Sequence, residues 1–430
     1  MNGLACLLVV GGAVGEPCSG YLQVYARKYK MSDSDKCRSN SSEVPDSSVP
    51  GVDEYRATGQ TVPNNLPLFL TSVWQCESTE QADAILDGAQ TGFVYQRENH
   101  PNANQFAKAC RTLHNAKHAT ITSSGMAALS LAVLSQLEKG DHVVVCNRLY
   151  GRSLVLLGSE LERLGIQHSL VDSCDLQAVE DVMTDNTRLV VVETISNPIL
   201  RVADIKALAE ISHARNAQLL VDNTFATPIV CQPMELGADL VLESVSKFMN
   251  GHGDIMLGML AGNHDNWERV ESVNSTWGLA SSPLECWLAC RGVATLALRI
   301  SRACESALTI AKYLTEHAAV EKVIYPGLKS HDDFQLAQRQ FIQGSGHVVT
   351  FQMAGGRAAA DQLVASPALA FCPSLGDVTT TLSHPLSTSH RGLSLEQQQQ
   401  LSINGATIRL SVGIEESNSI LDRLETALER

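Results

Sequence analysis

No run of apolar residues in this chain approaches the roughly 20 needed to span a bilayer as a helix; the one at residues 4–14 is far too short. It also lacks a basic segment before it and a small-x-small cleavage site after it, so it reads poorly as a secretory signal. Basic residues are in deficit: 32 Lys and Arg against 46 Asp and Glu leave a net charge of −14. That balance argues against a nucleic-acid partner or an anionic membrane surface. No CxxC pair occurs among the 12 cysteines, which are scattered through apolar stretches such as 143–146 and 286–290. Reduced, buried thiols in a cytoplasmic setting are expected, not a disulfide framework or a metal centre, and none is expected at Cys286 and Cys290. No repeat of fixed period is present. No GxGxxG follows the first strand of the alternating region, which excludes the usual dinucleotide fingerprint.

What is present is a chain of 430 residues, long enough for two or three domains, with 44% hydrophobic residues. Residues 31–60 are rich in Ser, Asp, Pro and Gly and cannot bury enough surface to offset their ordering entropy. A disordered leader over 1–60 is expected, and Met31 opens a more typical polar start than Met1, so residues 1–30 are expected to reflect start-site choice. Residues 61–98 gain Leu, Phe and Trp among many polar residues, as an extended arm packed on something else would.

From residue 107 onward helical and strand patterns alternate. Helices are expected at 125–138, 153–164, 176–183 and 205–215, and strands at 142–146, 167–171, 188–193, 218–222 and 239–243. Such alternation means βαβ units, and the unbroken Val and Leu runs suit strands buried on both faces, so the fold class is α/β with a mostly parallel central sheet. Past residue 295 the pattern changes to a helix at 300–317, strands at 320–325 and 347–353, and a last helix at 420–429. A large domain over 99–295 and a smaller α+β domain over 296–430 are expected.

In open α/β sheets ligands collect at the carboxyl ends of the strands. Three expected strands end in chemistry there: Glu193 followed by Asn197, Asp222, and Ser244, Ser246 and Lys247. Singly, each has a bland explanation, since a strand-end Asp is usually a turn or cap residue and a Lys is usually solvated. Together they share one rim. Ser123, Ser124, Gly125 and Met126 precede a long helix, whose free N–H groups form an anion site that a glycine lets a phosphate approach. A phosphate cradle, a strand-end acid and a desolvated lysine point to pyridoxal phosphate.

With those residues in place, the sequence resembles the Cys/Met-metabolism group of pyridoxal-phosphate enzymes, which includes cystathionine γ-synthase, cystathionine γ- and β-lyases, methionine γ-lyase and O-acetylhomoserine sulfhydrylase. The resemblance runs from about residue 67 to the C-terminus. It is carried by YQRENHP (95–101), SGM (124–126), LYG (149–151), ETISNP (193–198), VDNT (221–224), SVSK (244–247), GHGD (251–254), SLGD (374–377) and IRLSVG (408–413). It implies the transferase-like fold type I, with Lys247 forming the Schiff base and shuttling protons, Asp222 pairing with the ring nitrogen, and Tyr150 stacking on the ring. It further implies a phosphate held by Ser124, Gly125, Met126, Ser244 and Ser246, and by Tyr95 and Arg97 reaching in from a neighbouring subunit. Asn197 would contact the ring hydroxyl, and Arg409, aided by Ser374, would clamp the substrate carboxylate. Sharing Tyr95 and Arg97 between chains implies a dimer at least and a homotetramer as a dimer of dimers.

Several positions depart from the family pattern. His100 stands where Asn precedes Pro, Ser246 replaces Thr, Val245 replaces a small residue, and Arg152 occupies a position usually held by Cys or Gly. Pro373 precedes Ser374 where enzymes handling cystathionine through its γ-carbon often carry Glu. The expected activity is carbon–sulfur bond cleavage by γ-elimination from cystathionine, methionine or a related amino acid. The alternative is γ-replacement, as in cystathionine γ-synthase or O-acylhomoserine sulfhydrylase, and a non-catalytic scaffold is the remote one.

Overall fold

The computed structural model describes residues 63–392 and 394–429. The expected leader over 1–60 lies outside the described residues. Residues 63–67 are irregular chain, and Leu68–Arg430 forms one compact unit. The described part of the arm is mostly irregular. It contains a helix, Thr79–Leu86, whose N-cap Ser78 accepts from the Gln81 N–H, and an isolated antiparallel bridge between Val73 and Tyr95.

Seven strands make the first sheet: β1 (His118–Thr122), β2 (His142–Cys146), β3 (Gln167–Val171), β4 (Thr187–Glu193), β5 (Gln218–Asp222), β6 (Leu240–Glu243) and β7 (Gly258–Gly262). Their spatial order is β1-β7-β6-β5-β4-β2-β3. Only β7 opposes the common direction, since both pairings it makes are antiparallel and all others are parallel. β2 and β6 are buried along their whole length, as strands with helices on both faces must be.

The helices fit the expectations with informative differences. Gly125–Gln136 begins where its cap, Ser124, accepts the Ala127 N–H, and ends two residues short of the expected limit. The segment expected as one helix over 153–164 starts earlier, at Gly151, and passes through a π turn at Leu156–Glu160 before ending at Arg163. Pro101–His114 is capped by His100, whose Nδ1 accepts the Ala103 N–H at 3.1 Å. The histidine at the unusual position therefore does a cap's work, with Pro101 at the first helical position.

The second sheet holds β8 (Val320–Ile324), β9 (Val348–Met353), β10 (Ala370–Phe371), β11 (Thr381–Ser383) and β12 (Thr407–Ser411), in the order β10-β11-β12-β9-β8. It is antiparallel except for β10 against β11. The helix Leu296–Glu316 feeds both cores: Leu296, Ile300 and Cys304 pack with the large sheet, and Ala307, Ile310, Ala311 and Leu314 pack with the small one. Ser417–Leu428 closes the second core with Ile420, Leu424, Ala427 and Leu428. The architecture is thus α/β with a mostly parallel central sheet and a second, smaller sheet domain. No helix among the described residues is long and apolar enough to cross a membrane, and the nine described cysteines are all free.

Candidate active site

Four adjacent strand ends define the site. The parallel register sets Glu193 at the end of β4 directly beside Asp222 at the end of β5. β6 ends at Glu243 and runs straight into Ser244, and the turn after it carries Lys247. The antiparallel β7 brings Gly258 under the N-terminus of the Gly125–Gln136 helix.

At that N-terminus Ser124 satisfies the Ala127 N–H, which leaves the Gly125 and Met126 N–H groups without a protein acceptor among the described residues. Space here is tight. A Cβ on Gly125 would lie 2.7 Å from Ser244 Cβ, and one on Gly258 would lie 2.2 Å from the Ser124 carbonyl oxygen. Backbone therefore meets backbone where side chains would fill the cradle. The Ser244 N–H donates to Thr224 Oγ1 at 2.9 Å. Ser246 Oγ instead turns to Leu257, donating to its carbonyl at 3.2 Å and accepting its N–H at 3.0 Å.

Asp222 Oδ1 accepts from Thr224 twice, from N–H at 2.9 Å and from Oγ1 at 2.6 Å, while Oδ2 has no protein partner among the described residues. Burial pushes the Asp222 carboxyl up, and the two Thr224 donors work against that rise. Glu193 is raised as well, first by burial and then by the charge of Asp222. A cation beside Oδ2 would restore the charge of Asp222.

Lys247 donates from Nζ to Ser374 Oγ at 2.9 Å, a bond that reaches across to the second sheet domain. Burial, helped by the Arg409 charge, lowers the Lys247 amine below the ordinary lysine range, with Cys372 acting in the opposite sense. Gly376 makes this reach possible. Its φ of +93° suits glycine, and a Cβ there would sit 2.7 Å from the Lys247 carbonyl carbon.

Arg409, in the middle of β12, is 2% exposed. It donates from Nη1 to Asn197 Oδ1 at 2.8 Å and from Nη2 to the Ser374 carbonyl at 3.2 Å, and its Nε has no protein acceptor among the described residues. Burial brings it down to about 10. A buried guanidinium with an unspent N–H is built to receive an anion. Tyr150 is 36% exposed, and its backbone N–H donates to Glu193 Oε1 at 2.7 Å.

The structure therefore gathers Lys247, Ser374, Arg409, Asn197, Glu193 and Tyr150 into one hydrogen-bonded chain, with Asp222 beside Glu193 and the Ser124, Gly125, Met126 and Ser244 cradle beside Lys247. Arg97 stands apart. Its guanidinium donates to Ser275 Oγ at 2.9 Å and to the Ser275 carbonyl at 3.1 Å, and lies 5.5 Å over the Tyr95 ring. Tyr95 is 43% exposed.

Two residues gained a place that sequence reasoning did not give them. Glu193 was legible only as a polar strand end, yet it bonds both the Tyr150 and Asn197 N–H groups. His390 is 3% exposed and is held down to about 4 by burial and by the neighbouring Arg409 charge.

Residues 52–429 match the profile of the family described as Cys/Met metabolism PLP-dependent enzymes. L-methionine gamma-lyase of Porphyromonas gingivalis is 35% identical over 367 residues, covering 84% of this chain and 92% of that protein. O-succinylhomoserine sulfhydrylase of Pseudomonas aeruginosa is 38% identical over 354 residues, covering 82% of this chain and 88% of that protein. Among solved structures, cystathionine gamma synthase of Xanthomonas oryzae pv. oryzae in complex with cystathionine superposes with a TM-score of 0.81 at 31% identity, covering 88% of this chain and 95% of that one.

Proposed function

Since the chain belongs to the family of Cys/Met metabolism PLP-dependent enzymes, we propose that it is a carbon–sulfur lyase that cleaves methionine, cystathionine or a related amino acid by γ-elimination. The residues fit pyridoxal phosphate on the structure's own terms. A cradle too tight for a Cβ has two free N–H groups for a phosphate, and Asp222 Oδ2 is an unspent acceptor for a protonated ring nitrogen. When bound, pyridoxal phosphate supplies an electron sink for charge that develops on the amino acid's α-carbon.

Each residue has a distinct task. Gly125 and Met126 with the Ser124 and Ser244 hydroxyls hold the phosphate, and Ser246 supports the cradle through Leu257. Arg409 receives the substrate carboxylate with Nε and the edge it presents, braced by Asn197 and Ser374. Tyr150 covers the ring face. Lys247, lowered below the ordinary lysine range and held by Ser374 Oγ, takes the α-proton as a neutral amine and returns one to the product. Moving a proton onto the departing sulfur and then releasing the thiol leaves water to complete a 2-oxo acid and ammonia.

The single observation that carries this reading is the Lys247–Ser374–Arg409 cluster, a desolvated amine one residue's reach from a buried carboxylate receptor. Elimination is favoured over replacement by the SLGD wording at 374–377, and Pro373, which leaves that position without an acid for the distal amino group, weakens cystathionine as the substrate. One feature favours γ-replacement as a second reading. Arg152, two residues past Tyr150, is exposed, and no carboxylate partners it among the described residues. A guanidinium at the rim suits an acyl leaving group that carries its own carboxylate.

A substrate panel separates the two. L-methionine, cystathionine, and O-acetyl- and O-succinylhomoserine with cysteine or sulfide are each supplied, and keto acid is measured against new thioether. The account predicts keto acid and thiol from methionine or cystathionine, whereas abundant thioether with negligible keto acid would overturn elimination. The exposed Tyr95 and the position of Arg97 support assembly as a homotetramer in which these residues serve a neighbour's phosphate. The free cysteines support a cytoplasmic setting.

A further inference from the structure

The geometry points to Glu193 as the positioning residue that holds the ring-covering tyrosine and the carboxylate clamp in one frame, an inference that rests on the reading above. Glu193 is 7% exposed at the end of β4. Its two oxygens serve two different loops: Oε1 accepts the Tyr150 N–H at 2.7 Å, and Oε2 accepts the Asn197 N–H at 3.2 Å. Tyr150 closes the loop after β2, and Asn197 lies in the turn after β4.

From Asn197 the connection continues. Its Oδ1 accepts from Arg409, Arg409 donates to the Ser374 carbonyl, and Ser374 Oγ accepts from Lys247. Glu193 thus ties the residue that covers the ring to the residue that receives the substrate carboxylate, although it touches neither cofactor nor substrate itself. The bonding pattern also fixes its chemistry. Each oxygen faces one N–H donor, so a carboxylate satisfies both, whereas a carboxylic acid or an amide would set a hydrogen against one of them. A carboxylate is costly here, because Asp222 is its register partner across β4 and β5. A residue kept in such a place against that cost, with both oxygens spent on backbone N–H groups of the site, is suited to setting geometry and not to packing alone.

Substitution should therefore disturb two separable properties together. In E193A both loops lose their anchor. In E193Q the shape is kept, but one N–H faces an NH₂ group. Full-length protein loaded with pyridoxal phosphate is compared for wild type, E193Q and E193A in three measurements. These are the visible circular-dichroism band of the bound cofactor, which reports the ring's asymmetric surroundings, the KM and kcat for L-methionine, and apoprotein melting.

Misplacing reacting groups by about 1 Å can cost about a hundredfold. The expected result is a changed visible band and a KM raised about tenfold or more, with kcat/KM lowered about a hundredfold in E193A and less in E193Q, while E193Q melts as wild type does. A visible band and a KM that both stay at wild-type values in E193Q and E193A would overturn the inference, whatever happens to kcat. If E193A does not fold, E193Q is read in the same way. Wild-type protein that shows no cofactor band would instead refute the functional reading on which the inference rests.

Discussion

At the scale of single residues, the site depends on how burial redistributes charge. Arg409 is buried without a carboxylate partner among the described residues and is held by two neutral oxygens, so its positive charge remains available to an incoming anion. Lysine carries the same charge but presents a point donor, not a planar fork. R409K is therefore expected to lose the bidentate grip and one of its braces. Charge-assisted bonds are worth about 1.5–3 kcal/mol, so KM for the substrate should rise about tenfold or more, with a smaller change in kcat. Steady-state kinetics checks this, and an unchanged KM would count against the clamp. Lys247 and Asp222 were legible because each is a charged residue where the hydrophobic pattern stops, whereas Arg409, inside β12, was placed only by the family resemblance. Glu193 shared that signal but not its meaning, because what it bonds are backbone N–H groups from two loops, which no residue type reveals.

Elements tell a different story about legibility. β2, β3 and β5 occupy the residues expected for them, and β4 and β6 differ by one residue at their starts; for β2, β4, β5 and β6 this is because runs of Val and Leu have no other comfortable home. β7 gave no such signal. Two of its five residues are glycines, and each is required by a contact: Gly258 beneath Ser124, and Gly262 against Leu240 and Trp267, where a Cβ would meet both at 2.8 Å. The strand's side chains were given up so that backbones could approach, which erased the pattern that would have announced it. The N-terminus of Gly125–Gln136 follows the same logic. In G125A the new Cβ would press on Ser244 Cβ and on the Ser244 backbone at 3.0 Å. Overpacking of this kind costs about 1–3 kcal/mol, so affinity for pyridoxal phosphate should fall about tenfold. Equilibrium titration followed by cofactor absorbance checks this, and undiminished affinity would remove the cradle from that helix end.

The whole molecule is where the sequence was least explicit. The change of rhythm near residue 295 was visible, but the helix Leu296–Glu316 packs with both cores, so one element belongs to both layers of the fold. Sequence patterns mark elements; they do not mark which of two cores an amphipathic face meets. Arg97 makes its bonds on the chain's own Ser275, and Tyr95 and Arg97 are exposed, as are Leu70, Val73 and Leu298. If Tyr95 and Arg97 serve a neighbour's site as proposed, light scattering should return four times the 46.3 kDa chain mass. A monomer with full activity would contradict the shared site.

Underlying every scale is the assignment of Lys247 as the residue that carries the cofactor, from its place beside the cradle and its lowered basicity. The purified chain is loaded with pyridoxal phosphate and reduced with borohydride, and its peptides are then weighed by mass spectrometry. A pyridoxyl group on Lys247 alone, and none in K247A, is the result this account predicts. Labelling at another lysine, or none at all in wild-type protein, would contradict it.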